Sequence, residues 1–95
     1  QDTSNIKQHK SKNMIKVLFF AQLRELLKTN EIILDKIQAC SIEELKKSII
    51  STHPQWAVHL TNHAIMTSVN QTLVSSDHIV KANDEVAFFP PVTGG

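Results

Sequence analysis

Residues 41–54 read Ser-Ile-Glu-Glu-Leu-Lys-Lys-Ser-Ile-Ile-Ser-Thr-His-Pro. Ser41 stands three residues before Glu44, the spacing of a capping box. The serine hydroxyl accepts from the Glu44 N–H, and the Glu44 side chain reaches back to the Ser41 N–H. Ile42, Leu45, Ile49 and Ile50 then recur at i, i+3, i+7 and i+8, which is one apolar stripe on a helix. Glu43, Lys46 and Lys47 fall on the other side and read as a solvated face. Pro54 cannot continue the backbone ladder, so the spacing predicts a helix over about residues 42–52. A single stripe needs a partner surface, and the flanking residues supply strands for one.

Upstream, Met14–Phe20 is rich in β-formers. Ile15, Val17 and Phe19 share one face, and Lys16, Leu18 and Phe20 the other. Ala21–Lys28 predicts a short helix, with Leu23, Leu26 and Leu27 at helical spacing. Thr29-Asn30 turns the chain, and Glu31–Leu34 reads as a strand antiparallel to the first. Downstream, Gln55–Leu60 predicts a short helix and Thr61-Asn62 a turn. Ala64–Val69 is a strand, Asn70-Gln71 a tight turn, and Thr72–Val74 a short strand. Ser75–Asp77 is loop, and Asn83-Asp84 is a turn in which Asn83 can take the left-handed conformation. Glu85–Phe89 is the last strand, stopped by Pro90-Pro91.

The order is β, short α, β, long α, β, β, β. One main helix on a mixed sheet is α+β, and a hairpin, a crossing helix and further strands match the ubiquitin-like β-grasp. The first and last strands are expected to lie parallel at the centre, each carrying a Phe-Phe pair. Residues 1–13 are polar apart from Ile6 and are expected to be a disordered leader or tag-derived segment, with Met14 as the original start. The domain is expected over 14–89 and an extended, flexible tail over 90–95.

Composition excludes several functions. The chain has 95 residues and two glycines, Gly94 and Gly95. Average usage would give about six or seven. Gly-rich phosphate loops are therefore absent. Residues 1–13 carry a net +2 and residues 14–95 a net −1, so the domain lacks the basic face of a nucleic-acid binder. Cys40 is the only cysteine, which suits a reducing compartment. No apolar run approaches the roughly 20 residues of a membrane span. The expected setting is cytoplasmic, without nucleic-acid or membrane partners.

The last eight residues are Phe88-Phe89-Pro90-Pro91-Val92-Thr93-Gly94-Gly95. Two prolines bias the run to a stiff extended form, and six residues from Pro90 reach roughly 20 Å. Two readings follow. Gly94-Gly95 is a frayed end, or it is the tip of a tail narrow enough to carry a carboxylate into another protein. A terminal carboxylate is ionised at pH 7 and can attack the α-phosphate of ATP, so such a chain needs no catalytic residue of its own.

Three blocks carry a resemblance: M-I-K-V-L-F-F-A-Q-L-R-E-L at 14–26, V-N-Q-T-L-V-S at 69–75, and D-E-V-A-F-F-P-P-V-T-G-G at 84–95. Together they resemble the small subunit of bacterial molybdopterin synthase, a ubiquitin-like sulfur carrier of molybdenum cofactor biosynthesis. The likeness spans 14–95 and leaves out 1–13. It implies that an ATP-dependent adenylyltransferase, related to ubiquitin-activating enzymes, adenylates Gly95. A sulfur-donating system then converts Gly95 to a thiocarboxylate. It implies further that the tail Pro90, Pro91, Val92, Thr93, Gly94 and Gly95 enters the large catalytic subunit, in a heterotetramer. There it donates sulfur to cyclic pyranopterin monophosphate to build the dithiolene. The chain alone is then no enzyme and binds no cofactor; the ATP belongs to the activating partner. Phe20, Leu73 and Phe89 match the family's apolar docking positions. From the residues alone, large apolar side chains on an outer sheet face are a candidate interface or are covered by the short helices. The alternatives are a carrier for thiamine synthesis or tRNA thiolation, a protein modifier joined through Gly95 to a lysine, and a binding module without tail chemistry. The P-P-V-T-G-G context disfavours the first.

The remaining polar residues suggest little chemistry. His53, His59, His63 and His78 lack paired zinc-ligand spacing, so no metal site is expected. Cys40 reads as a small packed or surface residue, and Asp77 and Asp84 as turn residues. Lys81 and Arg24 are candidate rim charges.

Overall fold

Alternation along 14–20 produces the first strand. The structure, a computed structural model, describes residues 14–35 and 38–91. The expected leader and the tail residues 92–95 lie outside the described residues. Strand β1 (Ile15–Phe19) buries Ile15, Val17 and Phe19. Helix α1 (Ala21–Leu27) buries Leu23 and Leu27 but leaves Leu26 56% exposed. It ends in a Schellman arrangement. Lys28 is left-handed (φ 56°), its N–H donates to Glu25 O, and the Thr29 N–H donates to Arg24 O. Strand β2 (Glu31–Leu34) follows.

Strand β3 (Cys40–Ser41) leads into helix α2 (Ile42–Thr52). Both halves of the capping box form: Ser41 Oγ accepts from Glu44 N at 3.1 Å, and Ser41 N donates to Glu44 Oε1 at 3.1 Å. Ile42, Leu45 and Ile49 are buried, and Ile50 is partly buried against the core. A 3-10 turn (Pro54–Trp56) and helix α3 (Ala57–Leu60) take the place of the single short helix expected over 55–60.

Strand β4 (Met66–Val69) is shorter than the expected 64–69, because Asn62 organises the preceding turn. Its Oδ1 accepts from Ala64 N, and its backbone oxygen accepts from Ile65 N. Asn62 is not among the residues with positive φ, so its side chain makes the turn, not a left-handed backbone. Asn70-Gln71, both at positive φ, join β4 to β5 (Thr72–Leu73), as a two-residue hairpin loop requires. Strands β6 (Ile79–Val80) and β7 (Glu85–Phe89) complete the described chain, with Asn83 left-handed between them (φ 75°).

Five strands form one mixed sheet in the order β2-β1-β7-β4-β5, in which β1 and β7 are parallel and the other pairs antiparallel. The first and last strands are thus neighbours, as expected for a β-grasp. Strands β3 and β6 form a second, two-stranded sheet at residues to which the sequence pattern assigns no strand. Two-residue strands carry no readable period.

The core lies between the sheet and α2. Phe19 sits at its centre, edge-on to Trp56 at 5.4 Å and stacked near Phe88 at 6.1 Å. Lys46, expected on the solvated face, is half-buried, and its Nζ lies 5.7 Å from the Phe88 ring centroid. Burial pushes its ammonium pKa down, against an opposing pull from Glu43. No described helix is long and apolar enough to cross a membrane.

Candidate functional site: an outer sheet face beside the tail

Consecutive side chains of a strand point to opposite faces, and this sorts the two Phe-Phe pairs. Phe19 and Phe88 are fully buried, whereas Phe20 is 44% exposed and Phe89 half-buried. Phe19 and Phe88 are paired in register, and the Phe20 N–H donates to Phe88 O at 3.1 Å. Phe20 and Phe89 therefore stand side by side on the outer face. Leu73 is 59% exposed on β5, and its register partner is Ser68 of β4. The outer face thus carries all three of the predicted interface residues.

What joins them is Met66, which the sequence reading passes over. It is 36% exposed and pairs directly with Phe89. Counting by two back from the inward residues Val69 and Thr67 puts Ser68 and Met66 outward, so the signal was available. Leu18 and Ala87, paired on β1 and β7, add apolar surface one row lower. Below them Lys16 pairs with Glu85, and the face becomes polar.

The same strand that presents Phe89 continues into Pro90, half-buried, and Pro91, exposed. Both line an open groove of about 230 Å³ with Leu23 and Leu26 of α1, His59 and Ile65. The tail therefore begins between the apolar outer face and this groove. Val92, Thr93, Gly94 and Gly95 lie outside the described residues.

Nothing else described forms a reactive centre. Cys40 is half-buried; burial first, and the Glu44 carboxylate second, raise its thiol pKa, which disfavours the thiolate a nucleophile needs. Among the described residues, no three His, Cys, Asp or Glu side chains are grouped to hold a metal. His53 stacks on Trp56 at 4.0 Å with its Nδ1 3.0 Å from Thr52 Oγ1. Lys81 pairs with Asp84 at 3.6 Å.

Asp84, expected as a turn residue, follows the turn at Asn83 and is also buried and tied to two chain segments. It accepts from Lys81 N at 2.9 Å and from Asn70 Nδ2 at 3.1 Å. Asn70 Oδ1 in turn accepts from Glu85 N. This network pins the β4–β5 hairpin to the start of β7, and so keeps the outer face in one piece. The arrangement is an exposed apolar face beside the start of the tail.

Known proteins are similar to this chain in sequence and fold. The sequence model of the ThiS family matches residues 17–95. The molybdopterin synthase sulfur carrier subunit of Escherichia coli is 49% identical over 84 residues, covering 86% of this chain and all of that protein. The crystal structure of SAMP1 from Haloferax volcanii superposes with a TM-score of 0.74 at 22% identity, over 86% of this chain and 99% of that one. A structure titled as the protein–protein complex of subunits 1 and 2 of molybdopterin-converting factor, from Helicobacter pylori, contains a chain with a TM-score of 0.59 at 22% identity, over 86% and 99%. At such identities the two structures speak for the fold. From the family match and the near half identity to the E. coli protein, the chain belongs to the ThiS family, among the molybdopterin synthase sulfur carrier subunits.

Proposed function

We propose that this chain is the sulfur-donating subunit of a molybdopterin synthase and that Gly95 is its chemical end. The observation that carries the reading is the 49% identity extending over the whole E. coli sulfur carrier subunit. A carboxylate oxygen of Gly95 attacks the α-phosphate of ATP on an activating adenylyltransferase, and pyrophosphate leaves. A sulfur nucleophile from a donor system displaces AMP, leaving a thiocarboxylate. The soft sulfur then attacks cyclic pyranopterin monophosphate within the large catalytic subunit and displaces a substrate oxygen; water cleaves the resulting thioester, which leaves the sulfur on the substrate and returns Gly95 to its carboxylate, and two such transfers complete the dithiolene.

In this scheme the chain itself contributes position and no acid–base chemistry. Pro90 and Pro91 stiffen the exit from β7, and Val92, Thr93, Gly94 and Gly95 thread the partner's channel. The apolar face of Phe20, Leu73 and Phe89, with Met66, docks on the large subunit and fixes where the tail enters, an orientation effect. The Helicobacter pylori complex of two converting-factor subunits supports a two-subunit assembly; a heterotetramer of two small and two large chains is the expected form. The setting is the cytoplasm, and the chain holds no cofactor.

Intact-mass measurement after incubation with ATP, the activating enzyme and a sulfur source tests the chemistry. Replacement of one oxygen by sulfur at Gly95 is expected. An isopeptide-linked adduct would indicate a modifier instead, and an unchanged mass a binding module. Deleting Gly95, or adding one residue after it, is expected to abolish dithiolene formation while leaving the circular dichroism spectrum unaltered.

A further inference from the structure

Leu26 stands out on α1. Its spacing with Leu23 and Leu27 is that of a buried stripe, yet it is 56% exposed while they are buried. It does not join the core cluster. Instead it lines the open groove of about 230 Å³, together with the buried Leu23, the partly buried Ile65, Ala64, Pro90 and Pro91. The groove therefore has apolar walls on α1 and before β4, and the chain runs into it where β7 ends.

The next residue supplies what the groove lacks. The sequence after Pro91 is Val-Thr-Gly-Gly, and only Val92 brings a sizeable, wholly apolar side chain. Consecutive Cα atoms lie about 3.8 Å apart, so Val92 begins beside a residue that already lines the groove. The proline rings fix φ at Pro90 and Pro91. Only ψ of Pro91 and φ of Val92 then decide which way the isopropyl group points, and branching at Cβ leaves few rotamers to lose. Seating Val92 thus costs little conformational entropy and takes apolar surface of Leu26 and Ile65 out of water.

We propose that this groove is an intramolecular berth for Val92, which holds the root of the tail against α1 in the free chain. With Val92 seated, only Thr93, Gly94 and Gly95 extend beyond the berth, a reach of about 10 Å where six residues from Pro90 would reach roughly 20 Å. On the sulfur-carrier reading above, a partner that takes the extended terminus draws Val92 out of the groove. The berth then works as a strap, keeping the end group near the domain until a partner grips it. This release step rests on that reading; the berth itself does not.

Nuclear magnetic resonance of the full chain in solution tests this. Overhauser cross-peaks are expected from the Val92 methyls to those of Leu26 and Ile65. The amide heteronuclear Overhauser ratio of Val92 should stay close to that of Phe89 and stand well above those of Gly94 and Gly95. Leu26→Asp sets a charge on the groove wall and is expected to abolish the cross-peaks and drop the ratio to that of Gly94. Val92→Thr keeps the branched shape, replaces a methyl by a hydroxyl and is expected to drop the ratio likewise; it decides the matter if Leu26→Asp fails to fold. Absent cross-peaks in the wild type, with Val92 as mobile as Gly94, overturn the berth. Cross-peaks from Val92 to Phe89 or Met66 overturn it in favour of the outer face, and cross-peaks shown by isotope filtering to join two molecules overturn it in favour of a second copy. Adding the cognate large subunit is expected to remove the Val92 contacts; contacts that persist in the complex overturn the release step alone. A wild-type chain that does not bind the large subunit overturns the sulfur-carrier reading, and the release step with it, while the berth stands.

Discussion

Ala21, Lys28, Asn70, Gln71 and Asn83 all have positive φ, and none is glycine. Asparagine tolerates this region best; lysine does not, since a Cβ in the left-handed conformation costs roughly 1–2 kcal/mol. Lys28 closes α1 at the position where glycine is usual. Lys28→Gly is expected to stabilise the fold by about 0.5–1 kcal/mol, the strain relieved being partly offset by a freer unfolded chain. Thermal denaturation should show a rise of a few degrees. Asp84 provides a second residue-scale prediction. Burial acts to raise its carboxyl pKa, but the Lys81 N–H, the Asn70 amide and the Lys81 charge together outweigh it, and the group ionises below its ordinary range. The unfolded carboxyl titrates near about 3.9. The folded state therefore gains stability from Asp84 above that pH, and loses it as pH falls through the lower folded value. Asp84→Ala should cost about 2 kcal/mol at pH 7, because it strands the Lys81 N–H and the Asn70 amide. Urea titrations at pH 7 and pH 3 should show the difference between variant and wild type shrinking in acid.

At the scale of elements, α2 is secured at its N-terminus more than at any other point described. The capping box satisfies two backbone donors, and two further N–H groups reach the loop before β6: Ile42 N donates to His78 O at 2.9 Å and Glu43 N to Ser76 O at 3.0 Å. The first helical turn is thus tied to the segment between β5 and β6, where the short β3–β6 sheet forms. Ser41→Ala should destabilise the domain by about 1 kcal/mol, read as a lower urea midpoint at unchanged slope. The capping box was legible at once, because its four residues are consecutive in the chain. The β3–β6 pairing was not, since Cys40-Ser41 and Ile79-Val80 are too short to show a period and find each other only when the main sheet has formed.

At the scale of the molecule, the central feature is the parallel pair of the first and last strands. It puts the block opening at Met14 against the block ending in the tail, so the apolar outer face and the start of the tail share one support. Phe89 is half-buried on the outer side, while Phe88 next to it is locked in the core. Phe89→Arg should accordingly lower affinity for the large subunit at least tenfold while costing little stability, as measured by calorimetry and thermal melting together. Unchanged affinity would remove Phe89 from the interface.

The chain's own order determined the boundaries of α2, the inward and outward sorting of Phe19, Phe20, Phe88 and Phe89, and the β-grasp order of elements. Each depends on neighbours a few bonds away, through periodicity, capping and the missing N–H of proline. Tertiary structure decided which outward residues become one surface. Met66 joins Phe89 and Leu73 only because β4 lies between β7 and β5, and Lys46 finds Phe88 only because α2 crosses the sheet there. The burial of Asp84 is of the same kind. It comes from groups distant in sequence, and burial is a property of what surrounds a residue in space. The two terminal glycines stood out in the composition and Phe20, Leu73 and Phe89 in the strand pattern, but their meeting with Met66 on one face emerged only from the folded sheet.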